Sequence, residues 1–115
     1  MTYRFSAARR LKNKKDYELV FKSANKTISD EFVVLHKKSQ LDQARLGLAI
    51  SKKILPTAVQ RNRIKRILRE SFRQQSLPPI DIVFMAKHGI KNKNNSVLFQ
   101  KLSVIWDKLD GLYCK

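Results

Sequence analysis

The sequence predicts a single α+β domain, and three observations support this class. Apolar residues recur at helical spacing in three segments, and three runs elsewhere have the composition or alternation of β-strands. The 115 residues are 43% hydrophobic, which suits one modest core. No repeat, linker or low-complexity segment interrupts residues 1–115. We therefore expect one mixed central sheet packed with about three helices.

The chain begins with a basic segment and a short helix. Residues 1–12 carry four cations and no acid, which predicts an extended N-terminal arm. In the helix that follows, Tyr17, Val20 and Phe21 share one face at the i, i+3, i+4 spacing. The polar segment 24–31 is predicted to be a connection that contains at most a short extended piece.

Three strands are predicted in the middle of the chain. The run "EFVVLH" (31–36) is rich in β-branched and aromatic residues. The run "RLGLAIS" (45–51) alternates, so its leucines point to one face and the small residues Gly47 and Ala49 to the other. We expect the small-residue face to form an open floor for a ligand. The run "DIVFMA" (81–86) is apolar after its acid, which indicates a strand covered on both faces.

Two further helices are predicted after the alternating strand. The second helix starts near Pro56 or Thr57 and ends near Gln75, because two prolines follow. The last helix is predicted to have Asn95 or Ser96 as its N-cap, and it carries an apolar stripe at helical spacing. The segment between the last strand and this helix is a basic loop.

Charge is the strongest feature of the composition. Twenty-five Lys and Arg face nine Asp and Glu, which gives a net charge of +16 and a pI near 10.4. Such an excess opposes folding by self-repulsion and is typical of proteins that bind polyphosphates such as nucleic acids. A membrane surface is the weaker candidate, because no stretch is a basic amphipathic helix with a large exposed apolar face.

The sequence contains no signal for secretion or membrane insertion. No run is apolar and long enough for a signal peptide or a membrane span. The lone Cys114 provides neither an internal disulfide nor a thiolate metal site. We therefore expect a soluble, cytoplasmic protein.

The stretch "RNRIKRILRE" (61–70) holds five cations and a single acid. On a helical wheel its isoleucines and Leu68 gather on one arc, which predicts burial against the sheet. The opposite arc is polar and comprises Asn62, Lys65, Arg66, Arg69 and Arg73. Arg61 lies at the helix start, and Arg63 lies on a third flank with Glu70, which could also pair with Arg66. An arc of cations with almost no acids predicts phosphate binding.

RNA is favoured over DNA as the partner. The recognition helix of a helix-turn-helix follows another helix closely, whereas a strand precedes this one. Asn62 could read a base edge or a 2′-hydroxyl. Binding to duplex DNA and binding to ribosomal RNA, as a ribosomal protein would, remain alternatives.

No constellation of residues predicts catalysis. The nine acids are dispersed, and no cluster is typical of a two-metal nuclease. No P-loop, zinc spacing or nucleophile elbow is present. His36 and His88 could form an acid–base pair, which leaves a protein-only nuclease as a further alternative. We expect a binding protein with no catalytic residue and no metal ligand.

Four segments in order resemble the protein component of bacterial ribonuclease P: "RLKNKKDYELVF", "RLGLAISKK", "AVQRNRIKRILRESFR" and "LPPIDIVFMAKHG". The resemblance runs from about Arg10 to Gly89. It implies a subunit that joins a large catalytic RNA, which uses Mg²⁺ to cut the 5′ leader from precursor tRNA. The endoribonuclease activity then belongs to the holoenzyme, with no obligate protein partner and no cofactor on this chain. It also implies a small α/β sandwich with a left-handed crossover, against the usual right-handed rule.

The resemblance also assigns two binding sites. The basic helix of the family contacts the catalytic RNA, which corresponds here to Arg61, Asn62, Arg63, Lys65, Arg66 and Arg69. A cleft between the first helix and the sheet holds the single-stranded leader, which corresponds to Tyr17, Phe21, Ser51 and Lys52. Leu35 stands where the family often has Tyr and offers no ring for stacking. Core packing is the alternative role for Tyr17 and Phe21.

Overall fold

A computed structural model describes residues 17, 20–22, 24–39, 42–91 and 93–113. Within them the chain forms a four-stranded mixed sheet with helices on both faces, which confirms the predicted α+β class. The predicted basic arm, residues 1–12, lies outside the described residues.

The sheet places its last strand in the centre. Its strands are β1 (Asn25–Ile28), β2 (Phe32–Lys38), β3 (Arg45–Ala49) and β4 (Ile80–Ala86), in the spatial order β1-β2-β4-β3. β2 is antiparallel to both β1 and β4, whereas β3 is parallel to β4. Parallel neighbours need a crossover, and helix α1 (Ala58–Arg73) supplies it. The left-handed sense of that crossover stays a prediction.

A second long helix, α2 (Asn95–Tyr113), packs beside α1 on one face of the sheet. The main core lies between this helix pair and the sheet. Its largest buried side chain is Trp106, whose ring lies 5.3 Å from that of Phe84 on β4. The indole Nε1–H donates a hydrogen bond of 2.6 Å to the buried Ser71 hydroxyl, so the polar end of Trp106 is satisfied inside the core.

The opposite face of the sheet carries a smaller core. Val20 packs there against Leu35 and Val83, all three buried. Residues 17 and 20–22 are helical, so the first helix covers this face, as its i, i+3 spacing predicts. Successive strand residues point to opposite faces, and alternate residues of β2, β3 and β4 therefore belong to different cores.

The small-residue face of β3 is not an open floor at Gly47. The ring of Tyr17 lies over this glycine, and a Cβ added there would come within 2.8 Å of the ring. The backbone N–H of Leu48 donates to the Tyr17 hydroxyl at 3.1 Å. The prediction of an open floor is therefore wrong at this position, because the glycine allows an aromatic ring, rather than a ligand, to approach the strand.

Capping explains where the long helices begin. α1 has Thr57 as its N-cap, and Thr57 and Gln60 form a reciprocal capping box. This confirms the predicted start. For α2 the Asn94 side chain accepts from the N–H of Val97 at 2.9 Å, so the cap precedes both residues predicted from sequence.

Candidate nucleic-acid interface

The polar arc of α1 faces solvent. Asn62, Arg66 and Arg69 are exposed and Lys65 is half-buried. Within the described part of the chain, no hydrogen bond or ion pair engages these four side chains. Their charge is therefore available to an external anion, and guanidinium forks match phosphate oxygens well.

Two arginines of the same motif make contacts within the protein. Arg61 donates from Nη1 to the carbonyl oxygens of Leu55 and Pro56, each at 2.9 Å. It thereby holds the loop that enters α1. Arg63 donates to the Asn95 side-chain oxygen at 2.5 Å and to the Lys93 carbonyl at 3.1 Å. This pair of bonds joins α1 to the start of α2.

The acid of the motif is also engaged. Glu70 pairs with Arg73 at 2.7 Å, rather than with Arg66 as its i+4 spacing allowed. Arg73 therefore has a partner, although it lies on the predicted polar arc. Arg66 and Arg69 are the arginines of this arc that the described residues leave unpaired.

The residues predicted to bind the leader lie in two places. Tyr17 and Phe21 are on the helix that covers the sheet face opposite α1, and Ser51 and Lys52 follow the end of β3. The rings of Tyr17 and Phe21 are stacked, with centroids 6.4 Å apart and planes 27° from parallel. Phe21 is 49% exposed, so core packing does not account for it. Tyr17 is half-buried and bonds to β3 through its hydroxyl. Leu35 is buried beneath this helix and cannot meet a ligand directly.

Ser51 and Lys52 follow β3 in an exposed turn. The Ser51 hydroxyl accepts from the N–H of Lys53 at 3.0 Å. The Ser51 carbonyl accepts from two further backbone N–H groups, which shapes the turn that leads into α1. Tyr17 contacts Gly47 in the middle of the same strand, four residues before Ser51, so the first helix and this turn are both positioned by β3.

The two histidines do not form a catalytic pair. His36 is buried, and its ring bonds to the Thr27 hydroxyl at 2.9 Å and the Tyr113 hydroxyl at 2.7 Å. Burial lowers the pKa of His36 below 6.5, and the nearby Lys108 adds to this effect. His36 lies opposite Ile82, whereas His88 follows the far end of β4. Residue 82, opposite His36, and residue 86, the last residue of β4, are about 13 Å apart along that strand, and this distance separates the two histidines.

One buried acid supports the loop that precedes α2. Glu31 is 1% exposed, and its carboxylate lies 3.7 Å from the Lys93 ammonium. Its backbone carbonyl accepts from the N–H of Lys87. Among the described residues, no cluster of three or more His, Cys, Asp or Glu side chains could hold a metal ion.

Comparison with known proteins identifies the family. The sequence model of the Ribonuclease P family matches residues 5–110. The chain belongs to the ribonuclease P protein family. The ribonuclease P protein component of Legionella pneumophila (strain Corby) is 46% identical over 113 residues, which cover 98% of this chain and 99% of that protein. That of Marinomonas sp. (strain MWYL1) is 46% identical over 110 residues, covering 93% and 83%.

Solved ribonuclease P proteins have the same fold. A Staphylococcus aureus RNase P protein mutant superposes with a TM-score of 0.82 and 30% identity, covering 88% of this chain and 87% of that one. The Thermotoga maritima RNase P protein superposes with a TM-score of 0.76 and 28% identity, covering 86% and 96%.

Membership of the ribonuclease P protein family confirms the function expected from the resemblance. The chain is the protein subunit of a holoenzyme that cleaves tRNA precursors, and it has an RNA partner. The ribosomal, DNA-binding and protein-only nuclease alternatives are not favoured. Of the helices that the structure describes, none is apolar enough over sufficient length to cross a membrane.

Sequence reasoning missed a groove between the two long helices of this ribonuclease P protein. Its volume is about 520 Å³. Its lining includes Asn62, Arg63, Arg66 and Ile67 of α1 and Asn95 and Phe99 of α2. The available sequence signal was Phe99, an aromatic residue outside the apolar stripe of the last helix, but only the packing of α2 against α1 brings it beside the cations.

Proposed function

We propose that this ribonuclease P subunit binds the catalytic RNA through the exposed arc of α1. The carrying observation is that Arg66 and Arg69 are exposed and have no partner within the described part of the chain. Asn62 and Lys65 extend the same arc, and these four residues are called the α1 surface. Arg61 and Arg63 would contribute mainly by fixing the ends of the α1 surface, because protein carbonyls and Asn95 already take their guanidinium groups.

The second partner proposed is precursor tRNA, bound by its single-stranded 5′ leader. Support comes from the exposed ring of Phe21, which can stack with a base, beside the half-buried Tyr17. The exposed turn at Ser51 and Lys52 lies at the end of the strand that Tyr17 contacts. Lys52 would neutralise a leader phosphate, and Ser51 would offer a hydroxyl to the same backbone.

In this proposal the protein positions RNA and leaves hydrolysis to the RNA subunit. Mg²⁺ would belong to the catalytic RNA, and neutralisation of phosphates by the protein would reduce the Mg²⁺ concentration that the complex needs. Such a subunit works where tRNA is processed, which in bacteria is the cytoplasm.

Reconstitution tests the proposal. The chain added to ribonuclease P RNA at low Mg²⁺ should accelerate cleavage of precursor tRNA over RNA alone. Arg66→Ala and Arg69→Ala should each weaken binding of the catalytic RNA by about tenfold, as expected for a charge-assisted hydrogen bond. Lys101→Ala removes an equivalent exposed cation from α2 and serves as the control. Equal losses in all three variants would refute a localised RNA surface.

A second comparison isolates the leader site. Phe21→Ala should weaken binding of leader-bearing tRNA about five- to 150-fold, the range for loss of one base–aromatic stack, and leave mature tRNA unaffected. Ile28→Ala is the control, because this exposed side chain lies on β1 at the far edge of the sheet from β3. If Phe21→Ala weakens both tRNA forms equally, the ring does not bind the leader.

A further inference from the structure

The groove between α1 and α2 combines an apolar interior with a cationic rim. Ile67 contributes to its lining and is buried, whereas Phe99 is 40% and Val59 79% exposed at its edges. Large apolar side chains at a surface favour contact with a partner when they lie together beside polar groups. The groove volume of about 520 Å³ falls within the range typical of small-ligand sites.

The charges around the groove separate a neutral interior from an anion-binding edge. Arg66 lines the groove and has no partner within the described chain. Arg63 is fixed by Asn95 and the Lys93 carbonyl. Glu70 also lines the groove, but its ion pair with Arg73 at 2.7 Å offsets its repulsion of an anion. A neutral planar group inside and a phosphate at the rim match this distribution.

We propose that this groove binds an unstacked base of the catalytic RNA, with the base on Phe99 and its phosphate on Arg66. Every base has a π-face, so stacking on Phe99 tolerates any sequence. Asn62 lines the same groove, and its amide carries both donors and an acceptor for a base edge. The proposal rests on the proposed function, because it adds an anchor to the α1 surface.

The position of the groove selects the catalytic RNA rather than the leader. α1 and α2 cover one face of the sheet, whereas Tyr17 and Val20 pack on the other. A leader that lies along Tyr17 and Phe21 is therefore on the far side of the sheet from Phe99. The base in the groove belongs to the RNA that α1 already contacts.

Substitution of Phe99 provides the first test. The full chain is titrated into ribonuclease P RNA, and the dissociation constant is compared for Phe99→Ala, Phe99→Leu and Phe99→Tyr. Loss of one base–aromatic stack should weaken binding about five- to 150-fold in the Ala and Leu variants, and Tyr should restore it. Val104→Ala is the matched control, since this exposed side chain lies roughly 140° around α2 from Phe99.

The outcomes separate this inference from the proposed function. If Arg66→Ala weakens binding but Phe99→Ala and Phe99→Leu do not, the groove is not a base site and the α1 surface stands. If Arg66→Ala and Arg69→Ala also bind normally, the α1 surface itself is refuted. Because Leu retains apolar bulk, equal binding by Leu and Phe at position 99 would exclude stacking even if Phe99→Ala perturbs the helix pair.

Photocrosslinking then identifies the occupant. A photoreactive phenylalanine analogue in place of Phe99 should crosslink to an unpaired nucleotide of the catalytic RNA in the holoenzyme. The same analogue in place of Val104 should give no such product. Crosslinks to the leader of precursor tRNA, or to a second copy of the chain, would overturn the assignment.

Discussion

Gly47 and Tyr17 form the contact that joins the first helix to β3. A Cβ at position 47 would lie 2.8 Å from Tyr17 Cε1 and 2.9 Å from its Cζ and hydroxyl oxygen. Real Cβ atoms do not approach a ring this closely, so Gly47→Ala must displace Tyr17. Displacement also breaks the hydrogen bond from the Leu48 N–H to the Tyr17 hydroxyl.

The cost of Gly47→Ala follows from the steric clash and the broken hydrogen bond. Overpacking in a well-packed region costs about 1–3 kcal/mol, and loss of one hydrogen bond adds about 1 kcal/mol. Alanine would otherwise gain about 0.5–1 kcal/mol over glycine within a strand. We therefore expect the free energy of unfolding to fall by about 1–3 kcal/mol. A displaced first helix should also weaken binding of leader-bearing tRNA.

A double-mutant cycle measured by urea unfolding tests this reasoning. In a Tyr17→Ala background the ring is absent, so Gly47→Ala should be neutral or stabilising by up to about 1 kcal/mol. The coupling free energy between positions 17 and 47 should therefore be at least about 1 kcal/mol. Equal costs of Gly47→Ala in both backgrounds would refute the clash. Affinity for the catalytic RNA should stay unchanged, because α1 lies on the other face of the sheet.

Three further predictions concern salt dependence, pH dependence and the main core. The Arg66→Ala Arg69→Ala double variant should flatten the dependence of log K on log salt for the catalytic RNA by about 0.7–0.9 for each phosphate that the protein no longer neutralises; an unchanged slope in a salt titration would contradict phosphate binding. Because folding lowers the pKa of His36, the unfolded state binds more protons near that pKa than the folded state does. The contribution of His36 to the free energy of unfolding should therefore be complete above pH 6.5 and be lost as the pH falls below it. Urea unfolding between pH 5 and 8 should show this slope, and His36→Gln should remove it. Ser71→Ala leaves the Trp106 indole N–H without its partner and should cost about 1–3 kcal/mol in the same unfolding assay, with RNA affinity unchanged in the folded protein.

Local signals explain why α1 was predictable. Its apolar spacing and the Thr57–Gln60 capping box are contained within a few residues of sequence. β1 illustrates the limit, because "NKTI" is mostly polar and becomes a strand through its pairing with β2. The hydrogen bond between Thr27 and His36 across this pair has no counterpart in local sequence.

For the cations in "RNRIKRILRE", too, only some of the roles could be predicted from local sequence. The wheel separates the polar arc from the apolar arc, and the structure confirms that division. The helical wheel could not reveal that Arg63 reaches Asn95, because that partner is 32 residues away in sequence. Likewise, the alternation of β3 placed Gly47 on the correct face but did not show that Tyr17 occupies the space above it.

The two-sided sheet has a consequence for how two RNAs share one small protein. The proposed catalytic-RNA surface on α1 and the first helix, which carries Phe21, are on opposite faces of the sheet, and the protein measures 25 Å even along its shortest principal axis. At physiological ionic strength a charge is screened beyond about 8 Å. Each face should therefore attract its own RNA almost independently of whether the other is occupied. The sheet then acts as a rigid spacer that fixes the distance between the two bound RNAs. It does so without making the affinity for one RNA depend on the other.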